Sequence, residues 1–217
     1  MMHHLPILQV IVPLLAAPLI ALLRGREIAW LATFIVTGVT FVISLLLYYQ
    51  VSESGARLVY DLGGWAAPLG IVYVIDAASA LVLPIVTGIG FVVTLAARHL
   101  VTAEIDQRDH ALFFTAWLLT IAGMLGQVTT GDAFNIFVFL EISSLSAYAL
   151  VAMGAGRDRR ALPAAFNYLI LGTVGATFYV IGLGLLYMLT GTLNLDDLAV
   201  RLADIEQTRA AYMAMAF

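Results

Sequence analysis

Long uncharged apolar runs divide this chain, and charge, glycine and proline collect in the short stretches between them. A helix needs roughly 20 apolar residues to cross the hydrocarbon core of a bilayer. The pattern therefore predicts six complete spans: Leu5 to Leu23, Ile28 to Tyr49, Ile71 to Ala97, Ala111 to Thr129, Ala133 to Met153 and Leu162 to Leu189. A seventh apolar run begins at Ala210 and reaches Phe217. At the helical rise it covers only about 12 Å, so the chain is expected to stop inside a helix. Pro84 falls within the third span, where a missing backbone donor predicts a kink.

The connections carry their own signals. In the second, GARLVYDLGGWAAPLG, a Gly-Gly pair and a proline between short apolar pieces predict a small hairpin or reentrant cap. In the sixth, GTLNLDDLAVRLADIEQT, Leu193, Leu195, Leu198 and Leu202 alternate with Asp196, Asp197, Asp204 and Glu206. That pattern fits a short amphipathic helix lying at the interface. Alternate connections should share one side of the membrane. The first, third and fifth hold Arg24, Arg26, Arg98, Arg108, Arg157, Arg159 and Arg160, whereas the second, fourth and sixth hold Arg57, Arg201 and Arg209. The positive-inside rule assigns the first group to the cytoplasm and the N-terminus to the outside.

Composition agrees with an integral membrane protein: 62% of the residues are hydrophobic and 11% charged, with a mean hydropathy of +1.00. The net charge of −4 arises from so few ionisable groups that it points to no nucleic-acid partner. With no cysteine, disulfides, thiolate metal sites and cysteine-held iron–sulfur clusters are excluded within this chain, so redox chemistry would belong to another subunit. Lysine is absent too, and every basic residue is an arginine. The N-terminus MMHHLPILQV has no basic region and no small-residue cleavage site, so it reads as the first span rather than a removable signal, with His3 and His4 at its rim.

Candidate chemistry centres on one acid. In GDAFNIFVFLEISSLSAYAL, Phe137 to Leu140 lead straight into Glu141, and no turn residue flanks it. If the fifth span starts near Ala133, Glu141 lies about 12 Å deep, close to mid-membrane. An unpaired carboxylate there must take a proton, find a cation or face internal water. Steps of three and seven residues place Ser144 and Tyr148 on its face, two hydroxyls that can support a proton path. Ser143 and Ser146 lie off this line. The alternative is a protonated Glu141 that only bridges helices.

Other embedded groups are more ambiguous. Asp76, read as about 8 Å inside the third span, is either an ion access point or an acid that snorkels to water near a helix N-terminus. Asp132, before the fifth helix, reads as an N-cap. Gln127 and Asn167 could hydrate half-channels or hydrogen-bond neighbouring helices. Gly172, Gly175, Gly182 and Gly184, with Thr173 and Thr177, give the sixth span a small-residue surface for close packing. His99 and His110 flank Glu104, Asp106 and Asp109, but the spacing matches no zinc or calcium signature and reads as a solvated loop. No nucleotide loop or hydrolase arrangement is present. The sequence points to no catalytic residue, cofactor or bound metal.

The segment TTGDAFNIFVFLEISSLSAYALVA closely resembles the fifth transmembrane helix of the proton-translocating subunits shared by Mrp-type multisubunit Na⁺/H⁺ antiporters, membrane-bound hydrogenases and respiratory complex I. LGGWAAPLGIVYVIDAASAL is similar to the loop and third helix that precede it, particularly in the D subunit of the antiporter. The resemblance implies an all-α, polytopic helix bundle forming part of an antiporter-like fold of about fourteen helices, with two inverted repeats of about five helices. On this reading residues 1–217 form one membrane domain, with three helices in 1–109 and part of the first repeat in 110–217. The resemblance places the family's fifth-helix glutamate on Glu141 and implies a partner lysine on the seventh helix, shortly after Phe217. It further implies a subunit that moves H⁺, with Na⁺ as the exchanged ion, beside other membrane subunits in the inner membrane of a bacterium or archaeon. The alternative is the pumping arm of a redox complex.

Overall fold

The computed structural model describes residues 2–23, 25–204 and 209–216, so Arg24, Glu206 and Phe217 lie outside the described residues. The chain is almost wholly helical. In order come α1 (Leu5–Ala21), α2 (Arg26–Ser54), β1 (Leu58–Asp61), β2 (Val72–Ile75), α3 (Ala77–Glu104), α4 (His110–Thr129), α5 (Ala133–Met153), α6 (Ala161–Thr190), α7 (Leu195–Asp204) and α8 (Arg209–Ala216). The helices α2 to α6 are long and apolar enough to cross a membrane, and α1 is a shorter apolar helix of 17 residues holding Pro13 and Pro18.

The third span starts later than its hydropathy suggests. Val72–Ile75 is not helical but pairs antiparallel with Leu58–Asp61, in a register that sets Tyr73 opposite Tyr60. Its β-branched and aromatic residues suit a pleated ribbon, and hydropathy alone does not separate an apolar strand from the start of an apolar helix. The helix begins where Asp76 accepts a hydrogen bond from the Ser79 N–H at 2.7 Å. Asp76 is therefore the N-cap of α3, not a residue five positions into that helix.

Contacts between connections sort them into two ends. At one end, Arg98 reaches Glu27 at 3.3 Å and Arg157 donates to the Ala103 carbonyl at 2.8 Å, joining the first, third and fifth connections. At the other, the Gly131 N–H donates to the Val72 carbonyl at 2.8 Å, while Ala133 N–H reaches Leu193 and Leu195 N–H reaches Gly131. These bonds knit the β-hairpin, the α4–α5 turn and the start of α7 into a cap, braced by Arg57 on Asp196 at 2.8 Å. His4 joins the same end through the Tyr60 hydroxyl at 3.1 Å. We call these the arginine-rich end and the hairpin end.

The core lies among α1 to α4. Near the hairpin end Leu5, Val10, Leu47, Tyr73, Leu83 and Leu125 pack together, and Ala17, Ile20, Ala29, Ala97, Phe114 and Leu118 do so near the arginine-rich end. Between α2 and its neighbours, Thr33, Thr37, Thr40 and Ser44 recur at helical spacing and are fully buried. Each donates to a carbonyl one turn back in its own helix, and Ser44 also meets Thr87 at 2.8 Å. Polar groups are thus closed off inside a dry interface.

Glycines let α4 approach the α5 backbone closely. A Cβ on Gly123 would stand 2.6 Å from the Ser143 nitrogen, and one on Gly126 would stand 2.2 Å from the Phe139 ring. On α6, by contrast, Gly175 and Gly184 have nothing within 4 Å. The small-residue face expected to pack α6 is therefore largely open, apart from Gly172 and the buried Gly182.

Candidate functional site

Glu141 sits on α5 eight positions after Ala133, about 12 Å along the helix axis. Asp132 fixes that start, accepting the Asn135 N–H at 2.7 Å, so the N-cap and Glu141 are separate groups. The apolar run Phe137 to Leu140 keeps the helix unbroken into the glutamate. Glu141 lines a cavity of about 280 Å³ between α5 and α6, with Phe137, Thr173, Ala176, Thr177, Val180 and Ile181. Among the described residues no hydrogen bond or ion pair reaches its carboxylate, and none of the cavity's other walls carries a charge. A carboxylate in such surroundings keeps its charge only with a cation or water, and otherwise takes a proton.

Tyr148 lies on the same side of α5. Its ring meets Tyr168 edge-on at 4.6 Å, and its hydroxyl presses so closely on Gly172 that a Cβ there would stand 1.7 Å away. Glu141 and Tyr148 thus share α6 as a wall, two turns apart. Ser144 is half-buried between them and has no side-chain hydrogen bond among the described residues, leaving its hydroxyl available. Thr173 and Thr177 complete the wall, and Thr177 donates to the Thr173 carbonyl at 2.7 Å. Sequence reasoning read these threonines as packing groups; their i, i+4 spacing opposite the acid was the available signal.

The remaining candidates do not join this cavity. Gln127 donates to the Ser143 hydroxyl at 2.9 Å and lies 3.4 Å from the Phe139 carbonyl, tying α4 to α5. It also lines a separate cavity of about 370 Å³ at the hairpin end, with Arg57, Asp76, Ser79, Thr130 and Asp196. Asp76 is exposed there, and the hydrogen bond from the Ser79 amide holds its carboxyl below the usual carboxylate range. Asn167 is exposed on α6 and does not line the Glu141 cavity.

Residues 130–217, which include α5, Glu141 and α6, match the family described as NADH:quinone oxidoreductase/Mrp antiporter, TM. Residues 130–217 belong to that family. Across its whole length the chain is 37% identical to the NADH-quinone oxidoreductase N subunit of Desulforudis audaxviator, covering 43% of that protein. It is 35% identical to a probable K(+)/H(+) antiporter D subunit of Rhizobium meliloti, with 94% of the chain and 38% of the relative aligned. Among solved structures, an archaeal membrane-bound sulfane sulfur reductase superposes with a TM-score of 0.89 at 31% identity, over 97% of this chain and 42% of that one. The Mrp complex from Dietzia sp. DQ12-45-1b gives 0.80 at 28% identity, over 99% and 40%. The chain therefore spans about two-fifths of the length of these family members.

Proposed function

We propose that this chain is a proton-translocating membrane subunit of a multisubunit monovalent cation/H⁺ antiporter, with Glu141 as the group that takes up and releases the proton. The observation that carries the reading is the carboxylate at mid-helix in a cavity that offers it no protein partner among the described residues. Na⁺ is the exchanged ion the sequence resemblance implies, and a relative named for K⁺ keeps the alternative cation in view. The partner base is a lysine on the helix that follows in the family's fold, within reach of the open α5–α6 face. A unit charge at 4 Å from a carboxylate is worth about 4 kcal/mol at an effective dielectric of 20. Moving the base toward or away from Glu141 is then enough to load or release a proton as water access alternates. Ser144 and Tyr148 extend the path along α5, and Asp76 with Gln127 lines an access pocket at the hairpin end. Asn167 hydrates the arginine-rich side.

In this reading α1 to α6 are six spans, α8 begins a seventh, and the chain contributes part of a fold of about fourteen helices. The arginine-rich end faces the cytoplasm of a bacterial or archaeal cell and the N-terminus lies outside. Other membrane subunits cover the open helix faces.

A second reading has its own support: the quinone oxidoreductase relative and the sulfane sulfur reductase structure belong to redox complexes by their names. There the same Glu141 would serve a pump driven by electron transfer in neighbouring subunits. Copurification of iron–sulfur subunits with the full-length protein would select it, and their absence beside active cation/H⁺ exchange would select the antiporter.

The test is Glu141→Gln in the full-length protein, assayed in everted vesicles with a pH-sensitive dye. Cation-dependent proton movement should fall to background while the assembled complex is recovered in normal yield. Wild-type exchange by the assembled variant would end both readings.

A further inference from the structure

At the arginine-rich end the α1–α2 and α3–α4 connections enclose a pocket of about 440 Å³, lined by Leu23, Gly25, Arg26, Gln107, Arg108 and His110. Two helices begin at its wall, α2 at Arg26 and α4 at His110, and neither start has a side-chain cap. Their first-turn amides add partial positive charge to that of the two arginines. Gly25 enters α2 with a φ of 127°, a conformation that bulkier residues rarely adopt.

His110 is the independent sign of a ligand. The residue is 2% exposed, and its Nε2 lies 2.9 Å from the Ile105 carbonyl oxygen. A carbonyl only accepts, so the hydrogen sits on Nε2. Nδ1 is left buried without a partner among the described residues. With the hydrogen on Nε2, Nδ1 is an acceptor, and a hydroxyl of a phosphate or of a glycerol headgroup would satisfy it.

Of the two arginines, Arg26 donates twice to the neighbouring Glu27, whereas Arg108 is only weakly engaged. Arg108 is 81% exposed and meets Asp106 and Asp109 at 3.6 Å, beyond a well-formed hydrogen bond. Arg26 shares one carboxylate, Glu27, with Arg98. The opposing charges around the pocket are therefore Glu27, Asp106 and Asp109, each already set against an arginine. We propose that this pocket binds a phosphate group, carried by an anionic phospholipid headgroup or by inorganic phosphate. Arg26 and Arg108 form its charged jaws, and the α2 and α4 amides and His110 its floor. The site does not depend on the transport role of Glu141.

The test uses the full-length protein with its copurifying subunits, exchanged into equal amounts of phosphatidylglycerol and phosphatidylcholine and examined by native mass spectrometry. Phosphatidylglycerol should be retained over phosphatidylcholine by about tenfold. The preference should fall about threefold in Arg108→Gln, vanish in the Arg26→Gln/Arg108→Gln pair, and persist in Arg159→Gln, whose charge lies outside the pocket. In a second arm, inorganic phosphate is titrated against the protein in phosphatidylcholine alone. A phosphate-dependent rise in melting temperature that the paired variant lacks would support the site with the free anion as its ligand. A lipid preference that survives in the paired variant would overturn the proposal. So would equal retention of both lipids with no phosphate-dependent rise.

Discussion

The α1–α4 bundle and the α5–α6 pair solve the same problem in opposite ways. Both place polar groups at membrane depth. In the bundle most are hydroxyls whose hydrogen bonds close within a turn of their own helix, as Thr37 does on the Thr33 and Phe34 carbonyls at 3.0 and 3.1 Å, although Gln9 of α1 is buried with no partner among the described residues. In α5 the polar group is a carboxylate that closes on nothing among the described residues. Packing follows the same division: a third or more of the apolar stretch is buried in α2, α3 and α4, against 17% in α5 and in α6. A satisfied hydroxyl suits a static interface, whereas the proton exchange proposed for Glu141 would need a face open to water or to a base.

The seam that joins the two regions is the place to break this contrast. Gly123→Ala would drive a methyl into the α5 backbone at Phe139 and Ser143, atoms that belong to a hydrogen-bonded helix and cannot swing aside. We expect a loss of about 1–3 kcal/mol, seen as a lower melting temperature of the purified protein. Gly175→Ala on the open α6 face meets nothing within 4 Å and should be neutral or slightly stabilising. Equal melting of the two variants would show that α4 and α5 are not locked as described.

Gln127→Leu tests the next level. It removes the hydrogen bond to Ser143, whose hydroxyl keeps its own bond to the Leu140 carbonyl at 2.9 Å. The expected cost is about 1 kcal/mol. Exchange activity per assembled complex should fall severalfold, because Gln127 lines the proposed access pocket at the hairpin end. Unchanged activity beside the loss of stability would instead leave Gln127 as a tie between α4 and α5 alone. Thr37→Val should cost less still, about 0.6 kcal/mol, because its hydroxyl serves only its own helix.

The sequence carried much of this plan. The bounds of α5, Ala133 to Met153, follow directly from the run between Asp132 and Gly154. The hairpin was announced by the Gly-Gly pair, and α7 by leucines recurring among aspartates. What hydropathy could not separate was Val72–Ile75 from the helix after it. An apolar strand and an apolar helix start share composition, and only pairing with Leu58–Asp61 decides between them. The site was legible for the same reason that its partners were not. A lone glutamate stands out in any apolar run, but its facing wall of Thr173 and Thr177 depends on how α6 is rotated against α5. The glycines misled in a related way: α6 has more of them, yet of Gly172, Gly175 and Gly184 there only Gly172 meets a neighbour closely, while Gly123 and Gly126 of α4 both do.

The smallest expected effect lies at the cap, where α7 meets the end of α6. The Arg201 guanidinium beside Asp197, helped by the Thr192 hydroxyl, holds the Asp197 carboxyl below its ordinary value of 3.8. Arg201 also donates to the Thr190 carbonyl at 2.9 Å, so the pair anchors α7 to the α6 terminus. A carboxyl whose folded pKa is depressed contributes stability that is complete above the unfolded value and is lost as pH falls through the lower folded one. The anchor should therefore hold at neutral pH and loosen only below about pH 4. Other carboxylates titrate there as well, so the measurement is a difference: the fall in melting temperature between about pH 5 and pH 3 for the native protein, minus that for Arg201→Gln. The native fall should be the larger, since only the native protein has this pair to lose. Identical falls would show that Asp197 gains nothing from Arg201 and that α7 is held by its other contacts, among them Arg57 on Asp196 and Leu195 on Gly131.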